Sequence, residues 1–212
     1  MAISDAEKNR LDKMSCFEND LKKKGYKLIA GVDEAGRGPL AGPVVAAACI
    51  LKEGFFLEGL NDSKKLTPKK RKEIFNKLIT SSNVICSVGI VDANKIDEIN
   101  ILKATFLAMK KAVHSLEIKP DFLLVDGNAL PSIAIESKAI VKGDSKSISI
   151  AAASIIAKQT RDDMMEMFHN SFPEYDFLKH KGYGTKKHLE AINTYGPSSI
   201  HRKSFEPIKS MI

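Results

Sequence analysis

The distribution of apolar and polar positions predicts a chain of mixed helices and strands. Residues 4–24 combine charged and apolar positions as an N-terminal helix does. Apolar runs of strand length follow at residues 26–33, 43–51, 83–91, 122–125 and 139–141. Apolar residues at helical spacing predict further helices at residues 67–80, 101–116 and 149–168. Because helices and strands alternate after a first group of strands, we expect an α/β fold with a mixed β-sheet flanked by helices on both faces.

The 212-residue length fits one α/β domain with a small extension. We assign residues 1–168 to an N-terminal helix plus the main domain, whose core starts at about residue 26. Residues 169–212 are rich in glycine, histidine and lysine, and we interpret them as a C-terminal extension of loops and short helices.

Acidic residues stand repeatedly where a predicted strand ends. Asp33 and Glu34 follow the run LIAGV, Asp126 follows LLV, and Asp144 follows IVKG. A single acid at such a place is commonly a turn former or a helix cap. If the strand ends converge, however, four carboxylates would repel one another unless protons or cations neutralised them. Two divalent cations would balance four negative charges, and oxygen ligands favour Mg²⁺ or Mn²⁺ over zinc.

The charge of the chain favours a polyanionic partner. The formal net charge is +7 and the isoelectric point is about 9.2. The three cysteines are unclustered and odd in number, which predicts reduced thiols in a cytoplasmic protein. The N-terminus has no apolar signal core, and the apolar runs are too short to span a membrane. The basic residues form clumps at residues 22–24, 64–65, 69–72, 179–187 and 202–203.

Eight sequence blocks, in order, resemble ribonuclease HII, the bacterial type 2 ribonuclease H. They are DEAGRGPLAGPVVAAA (33–48), DSKKL (62–66), NIL (100–102), VDG (125–127), KGDS (142–145), SIAAASIIAK (149–158), HKGYGT (180–185) and HRKSF (201–205). The resemblance implies a ribonuclease H-like fold with the C-terminal extension beside the substrate groove. It also implies two-metal hydrolysis of the RNA strand of RNA–DNA hybrids, and cleavage at ribonucleotides embedded in duplex DNA. The products would carry 3′-hydroxyl and 5′-phosphate ends, and the enzyme would act in ribonucleotide excision repair and DNA replication.

The same resemblance assigns roles to the acids. Asp33, Glu34, Asp126 and Asp144 match the family's four catalytic and metal-binding carboxylates. Asp162 and Asp163 are nearby rivals for the fourth place. We interpret them as exposed helix acids that pair with Lys158 or Arg161, because the family's acid lies in the KGD block.

Substrate-binding residues are also implied. Gly36, Arg37 and Gly38 match the turn whose backbone reaches the ribose 2′-hydroxyl, and Tyr183 matches the tyrosine that stacks on the sugar at the junction. The candidates for contacts to the phosphate backbone of the nucleic acid are Lys64, Lys65, Ser145, Lys181 and Arg202. We expect three histidines to make phosphate contacts or core hydrogen bonds: His180, His188 and His201.

Rival functions fit the residues less well. A non-catalytic RNA- or hybrid-binding module would not need four acids at three strand ends. A DNA resolvase or transposase-like nuclease would share the acids but not GRG and KGYGT. Only 32 residues precede Asp33, which disfavours the type III enzyme with its extra N-terminal domain. The tail FEPIKSMI contains no sliding-clamp peptide, so we expect no clamp tether through it, and we expect a monomer.

Overall fold

A five-stranded mixed sheet forms the centre of the computed structural model, which describes residues 4–212. The strands are β1 (Ile29–Ala35), β2 (Val44–Leu51), β3 (Val84–Val91), β4 (Phe122–Asp126) and β5 (Glu136–Ile140). Their order across the sheet is β3-β2-β1-β4-β5. Strand β2 is antiparallel to both β1 and β3, whereas β4 is parallel to its two neighbours, β1 and β5. The predicted mixed α/β sheet is therefore confirmed.

The helices lie on both faces of this sheet. They are α1 (Asp5–Met14), α2 (Cys16–Lys23), α3 (Pro68–Thr80), α4 (Ala93–Ile99), α5 (Ile101–His114), α6 (Ile148–Ser171), α7 (Phe177–His180) and α8 (Lys186–Tyr195). Three expectations differ from this result. The single helix at 4–24 is broken at Ser15, α4 was not predicted, and the last strand begins and ends earlier than residues 139–141.

Two apolar layers enclose the sheet. On one face, alternate residues of β2 such as Ala46 and Ala48 pack with Ala108 and Ala112 of α5. On the other face, Ala47 and Cys49 pack with the alanine-rich start of α6 and with α3. Strand β2 is buried on both faces, as its unbroken apolar run predicts.

Small residues let α6 lie very close to the sheet. A Cβ atom added to Gly31 of β1 would lie 2.1 Å from the carbonyl carbon of Ser149. The run Ala151, Ala152 and Ala153 is fully buried at the same contact. This close contact fixes α6, and with it the segment just before α6, against the centre of the sheet.

The C-terminal segment has an apolar cluster of its own. Tyr175, Phe177, Ile192 and Ile208 pack together with residues of the main sheet domain, among them Leu40, Ala41 and Met165. Helix α6 crosses position 168, so the division at that residue stays a prediction. No helix within residues 4–212 is long and apolar enough to cross a membrane.

Candidate active site

Three carboxylates from three separate segments meet at one edge of the sheet. Asp33 lies near the end of β1, Asp126 is the last residue of β4, and Asp144 lies in a 3-10 turn between β5 and α6. One carboxylate oxygen from each can be chosen such that all three lie within 4.8 Å of one another. We call these three residues the acid cluster. Because β1 and β4 are parallel neighbours, their carboxyl ends fall at the same edge.

Local hydrogen bonds fix two members of the acid cluster. The Asp33 Oδ1 accepts from the Glu34 amide at 2.7 Å. The Asp126 Oδ1 accepts from the Gly143 amide at 2.6 Å, which ties the end of β4 to the turn that carries Asp144. A left-handed residue, Lys142, precedes that turn. The turn therefore brings the third acid back toward the first two.

Burial and mutual repulsion act against ionisation of these acids. Burial raises the pKa of Asp33 well above its usual value, and the charges of Glu34 and Asp126 raise it further. Burial also raises the pKa of Asp144, and the charges of Asp62 and Asp126 act in the same direction. Buried like charges of this kind are stabilised by a bound cation. With oxygen as the only ligand atom, the acid cluster suits a hard divalent ion such as Mg²⁺ or Mn²⁺.

Glu34 lies beside the acid cluster without belonging to the closest group. Burial raises the pKa of its carboxyl, and the neighbouring Arg37 opposes that shift. The Arg37 Nη1 lies 3.5 Å from the Glu34 Oε1. The charge of Asp126 also acts on Glu34, so the four predicted acids share one electrostatic environment.

Basic side chains border the acids. The Lys64 ammonium lies 3.4 Å from the Asp144 Oδ2, although most of the lysine side chain is exposed. Lys65 and Ser145 line a surface cleft together with Lys13 and Lys146. The cleft carries positive charge beside Ser145, the residue that follows Asp144 in the chain, and such charge attracts a phosphate backbone.

The GRG turn and Tyr183 lie together. Gly36 has φ +94°, and a Cβ atom there would lie 2.0 Å from the Arg161 Nε, so no other residue fits without a shift. A Cβ atom at Gly38 would lie 3.8 Å from the Tyr183 Cε1. The Tyr183 side chain is 47% exposed, which leaves much of its ring accessible. Two motifs that are 145 positions apart in the sequence (38 to 183) are therefore adjacent in space.

Arg202 does not lie where a phosphate contact requires. Its side chain is fully buried. The guanidinium donates to the carbonyls of Gly36 at 2.5 Å, Arg37 at 2.9 Å and Gly42 at 2.9 and 3.0 Å. It thus supports the GRG turn from the interior, and the expectation that Arg202 contacts phosphate is not compatible with this burial.

Arg161 plays a similar part. Its guanidinium donates to the carbonyls of Pro43, Ala41 and Lys181 at 3.0 to 3.1 Å. It thereby joins the segment after the GRG turn to the segment before Tyr183. The Lys181 ammonium lies 3.5 Å from the Asp162 carbonyl, and that lysine is half-buried.

The rival acids make one contact that was expected, the pair of Asp162 with Lys158, and other contacts that were not. Asp162 is buried and pairs with Arg71 at 2.9 Å and with Lys158 at 2.6 Å, so it is not an exposed acid. Asp163 pairs with Lys72 at 2.6 Å. Neither bonds to Arg161, whose donors are taken by backbone carbonyls. These contacts could not be predicted from the sequence, because an arginine that binds backbone carbonyls leaves no pattern of residue types.

Solved structures with the same architecture define the class of protein. Ribonuclease H2 from Pyrococcus horikoshii OT3 is similar with a TM-score of 0.72 at 31% identity, over 87% of this chain and 96% of that one. RNase HII from Archaeoglobus fulgidus, solved in complex with PCNA, is similar with a TM-score of 0.65 at 25% identity, over 84% and 95% of the two chains. The ribonuclease H-like sheet with acids at its strand ends defines a metal-dependent ribonuclease H.

The sequence relationship identifies the family. The family model described as Ribonuclease HII matches residues 30–208. Ribonuclease HII of Chlamydia trachomatis serovar A is 56% identical over 201 residues, which are 95% of this chain and 92% of that protein. The chain belongs to the ribonuclease HII family, and its activity is endoribonucleolytic hydrolysis of RNA in RNA–DNA hybrids.

Proposed function

We propose that this enzyme cuts both long RNA–DNA hybrids and duplex DNA that contains a single ribonucleotide, with two divalent ions bound by Asp33, Glu34, Asp126 and Asp144. The observation that carries the proposal is the closeness of Tyr183 to the GRG turn, which begins three positions after Asp33 in the chain. A site that only hydrolyses phosphodiesters has no need of a backbone turn and an exposed aromatic ring at that place.

The four carboxylates supply the negative charge that would bind the metal ions of the reaction. Two bound Mg²⁺ or Mn²⁺ ions would lower the pKa of a water and stabilise the departing 3′-oxygen. The acid cluster places three ligand oxygens within 4.8 Å of one another, and Glu34 stands next to Asp33 in the chain. In the hydrolysis, a water oxygen bonds to phosphorus while the P–O3′ bond breaks. The leaving oxygen takes up a proton, so the ends are a 3′-hydroxyl and a 5′-phosphate.

The GRG turn offers donors for a ribose. In a trans peptide the carbonyl and the amide point in opposite directions. The carbonyls of Gly36 and Arg37 point inward to Arg202, so the amides of Arg37 and Gly38 point outward. Within residues 4–212, neither amide has a hydrogen-bond acceptor. A 2′-hydroxyl can accept from such an amide, and deoxyribose cannot.

The remaining polar residues fit binding of the nucleic-acid backbone. Lys64 contacts Asp144 of the acid cluster, Lys65 and Ser145 line the nearby surface cleft, and Lys181 lies in the segment before Tyr183. These contacts would set affinity and register without reading bases. We further propose a monomer that carries no clamp-binding peptide in its tail. The three free thiols suit a reducing compartment, and we place the enzyme in the cytoplasm.

The test compares two labelled substrates, a long RNA–DNA hybrid and a DNA duplex with one ribonucleotide, in Mg²⁺ or Mn²⁺. We expect wild type to cut both. Tyr183→Ala should lose about tenfold or more on the single ribonucleotide, where only one register is available, and less on the hybrid. Its metal affinity should stay unchanged because no carboxylate moves. Equal losses on both substrates would show that Tyr183 supports the active site instead of recognising the junction.

A further inference from the structure

Three histidines of the C-terminal segment pack beside the loop that carries Tyr183. His180 and His188 are stacked with ring centroids 4.3 Å apart, and His201 lies 5.1 Å from His188. His188 and His201 are fully buried, and aromatic rings of Tyr175 and Phe177 surround them. His188 and His201 are therefore shielded from water and have no access to a phosphate.

Hydrogen bonds determine which nitrogen carries the proton in each of the two buried rings. The Ser198 amide donates to the His201 Nδ1 at 2.9 Å, so this nitrogen must be unprotonated. The His188 Nδ1 lies 2.9 Å from the Tyr183 carbonyl, which can only accept, so this nitrogen must carry a proton. The two Nε2 atoms lie 3.0 Å apart. With one proton per ring, the His201 Nε2–H donates to the His188 Nε2.

These bonds all point the same way. They run from Ser198 through His201 and His188 to the carbonyl of Tyr183. Burial lowers the pKa of His188 and of His201 from 6.5 to about 4, so both rings are neutral at neutral pH. Neutral rings have one donor and one acceptor each, as this chain of bonds needs.

The Tyr183 loop depends on such main-chain contacts for its position. Lys181 and Gly182 both have positive φ, and Gly184 follows Tyr183, so no regular element holds the loop. Tyr183 is 47% exposed, so side-chain packing covers only about half of it. Its carbonyl accepts from His188 and from the Thr185 amide at 2.8 Å. His188 thus joins the loop to the buried cluster.

The His201 end of this chain of hydrogen bonds lies beside the segment that follows the GRG turn. His201 forms an isolated antiparallel bridge with Ala41. The next residue, Arg202, donates from its amide to the Leu40 carbonyl at 2.8 Å and from its guanidinium to the GRG carbonyls. The histidine pair therefore connects the two surfaces between which a ribose would lie.

We propose that His188 and His201 are positioning residues for ribonucleotide recognition: their directional hydrogen-bond chain fixes the Tyr183 loop against the GRG turn. The proposal rests on the proposed function of Tyr183 at the junction. The histidines touch no substrate atom, and they act by setting the distance between the Tyr183 ring and the turn at residues 36–38.

The first test needs no variant. Long-range proton–nitrogen NMR correlations on the wild-type protein with ¹⁵N-labelled histidine report which ring nitrogen is protonated. We expect the Nδ1–H form for His188 and the Nε2–H form for His201 at neutral pH. The reverse assignment for either ring, or a positively charged ring, would overturn the proposal.

The second test measures selectivity. Leucine at position 188 removes the donor to Tyr183, whereas asparagine can still donate from its amide. We expect His188→Leu to lower kcat/KM on the single-ribonucleotide duplex about tenfold more than on the long hybrid. His188→Asn should recover most of that difference. Divalent-metal affinity should match wild type in both variants.

A matched control separates positioning from stability. The Tyr175 hydroxyl donates to the Gly196 carbonyl at 2.7 Å in the same aromatic cluster, and it makes no hydrogen bond to the Tyr183 loop. Tyr175→Phe should lower the melting temperature and leave the ratio of the two activities unchanged. The same change of ratio in Tyr175→Phe, or equal losses on both substrates in His188→Leu, would mean that the histidines only stabilise the fold. A wild type that leaves the single ribonucleotide uncut overturns the proposed function, and the NMR assignment still decides the hydrogen-bond chain.

Discussion

Replacement of Arg202 by methionine tests whether this residue supports the GRG turn or contacts phosphate. The change keeps much of the apolar length and removes four hydrogen bonds to three carbonyls. Each carbonyl left without a donor costs about 1–3 kcal/mol, and loss of a buried charge offsets part of the sum. We therefore expect the free energy of unfolding to fall by about 3–5 kcal/mol.

Urea unfolding of wild type and variant measures this difference. Lys203→Met is the matched control, because its side chain is exposed and its backbone bond to Asp97 is retained. This control should change stability by less than about 0.5 kcal/mol. A phosphate contact predicts the opposite pattern for Arg202→Met, with unchanged stability and a salt dependence of hybrid binding shallower by about one unit. That pattern would refute the role we assign to the buried guanidinium.

Three further predictions concern the acids, the lysines and the sheet. Because burial raises the pKa of Asp33, its ionisation destabilises the folded chain as pH rises through that pKa. Metal-free Asp33→Asn should therefore have a higher melting temperature than wild type at pH 7, and the difference should shrink toward about pH 4. A difference in melting temperature that does not depend on pH would contradict this. Lys64→Ala with Lys65→Ala should reduce the salt dependence of hybrid binding by up to about two units, and an unchanged slope would show that these lysines meet no phosphate. Gly31→Ala places a Cβ atom 2.1 Å from the Ser149 carbonyl carbon, so the free energy of unfolding should fall by about 1–3 kcal/mol or more. An unchanged melting temperature would contradict the close contact of α6 with the sheet.

The part of the site that the sequence predicts consists of the acids at the ends of apolar strands. Apolar runs that end in Asp33 and Asp126 follow from the sequence, and their meeting follows once β1 and β4 are parallel neighbours. The approach of Asp144 depends on a left-handed Lys142, a conformation that residue type does not indicate. Strand β5 was misplaced because it is a partly exposed strand at the sheet edge, with a polar start at Glu136.

The two buried arginines were the least predictable feature of the site. Arginine is mostly an exposed residue, so Arg161 and Arg202 suggested surface contacts when only their sequence was considered. Their actual ligands are backbone carbonyls, which every residue has. Helix α4 was missed for another reason. It has only seven residues, and its N-cap Asp92 was not recognised as the start of a helix.

Cleavage by Asp126→Asn tests the central claim most directly. Asparagine keeps the size of the side chain and an oxygen that can accept from the Gly143 amide, but it removes one charge from the acid cluster. Circular dichroism and thermal melting check that the variant is folded. It should bind a labelled RNA–DNA hybrid but cut it at least about a thousandfold more slowly than wild type in Mg²⁺ or Mn²⁺. That factor corresponds to a loss of about 4 kcal/mol in transition-state stabilisation. A folded Asp126→Asn protein that cuts the hybrid at nearly the wild-type rate would contradict the account.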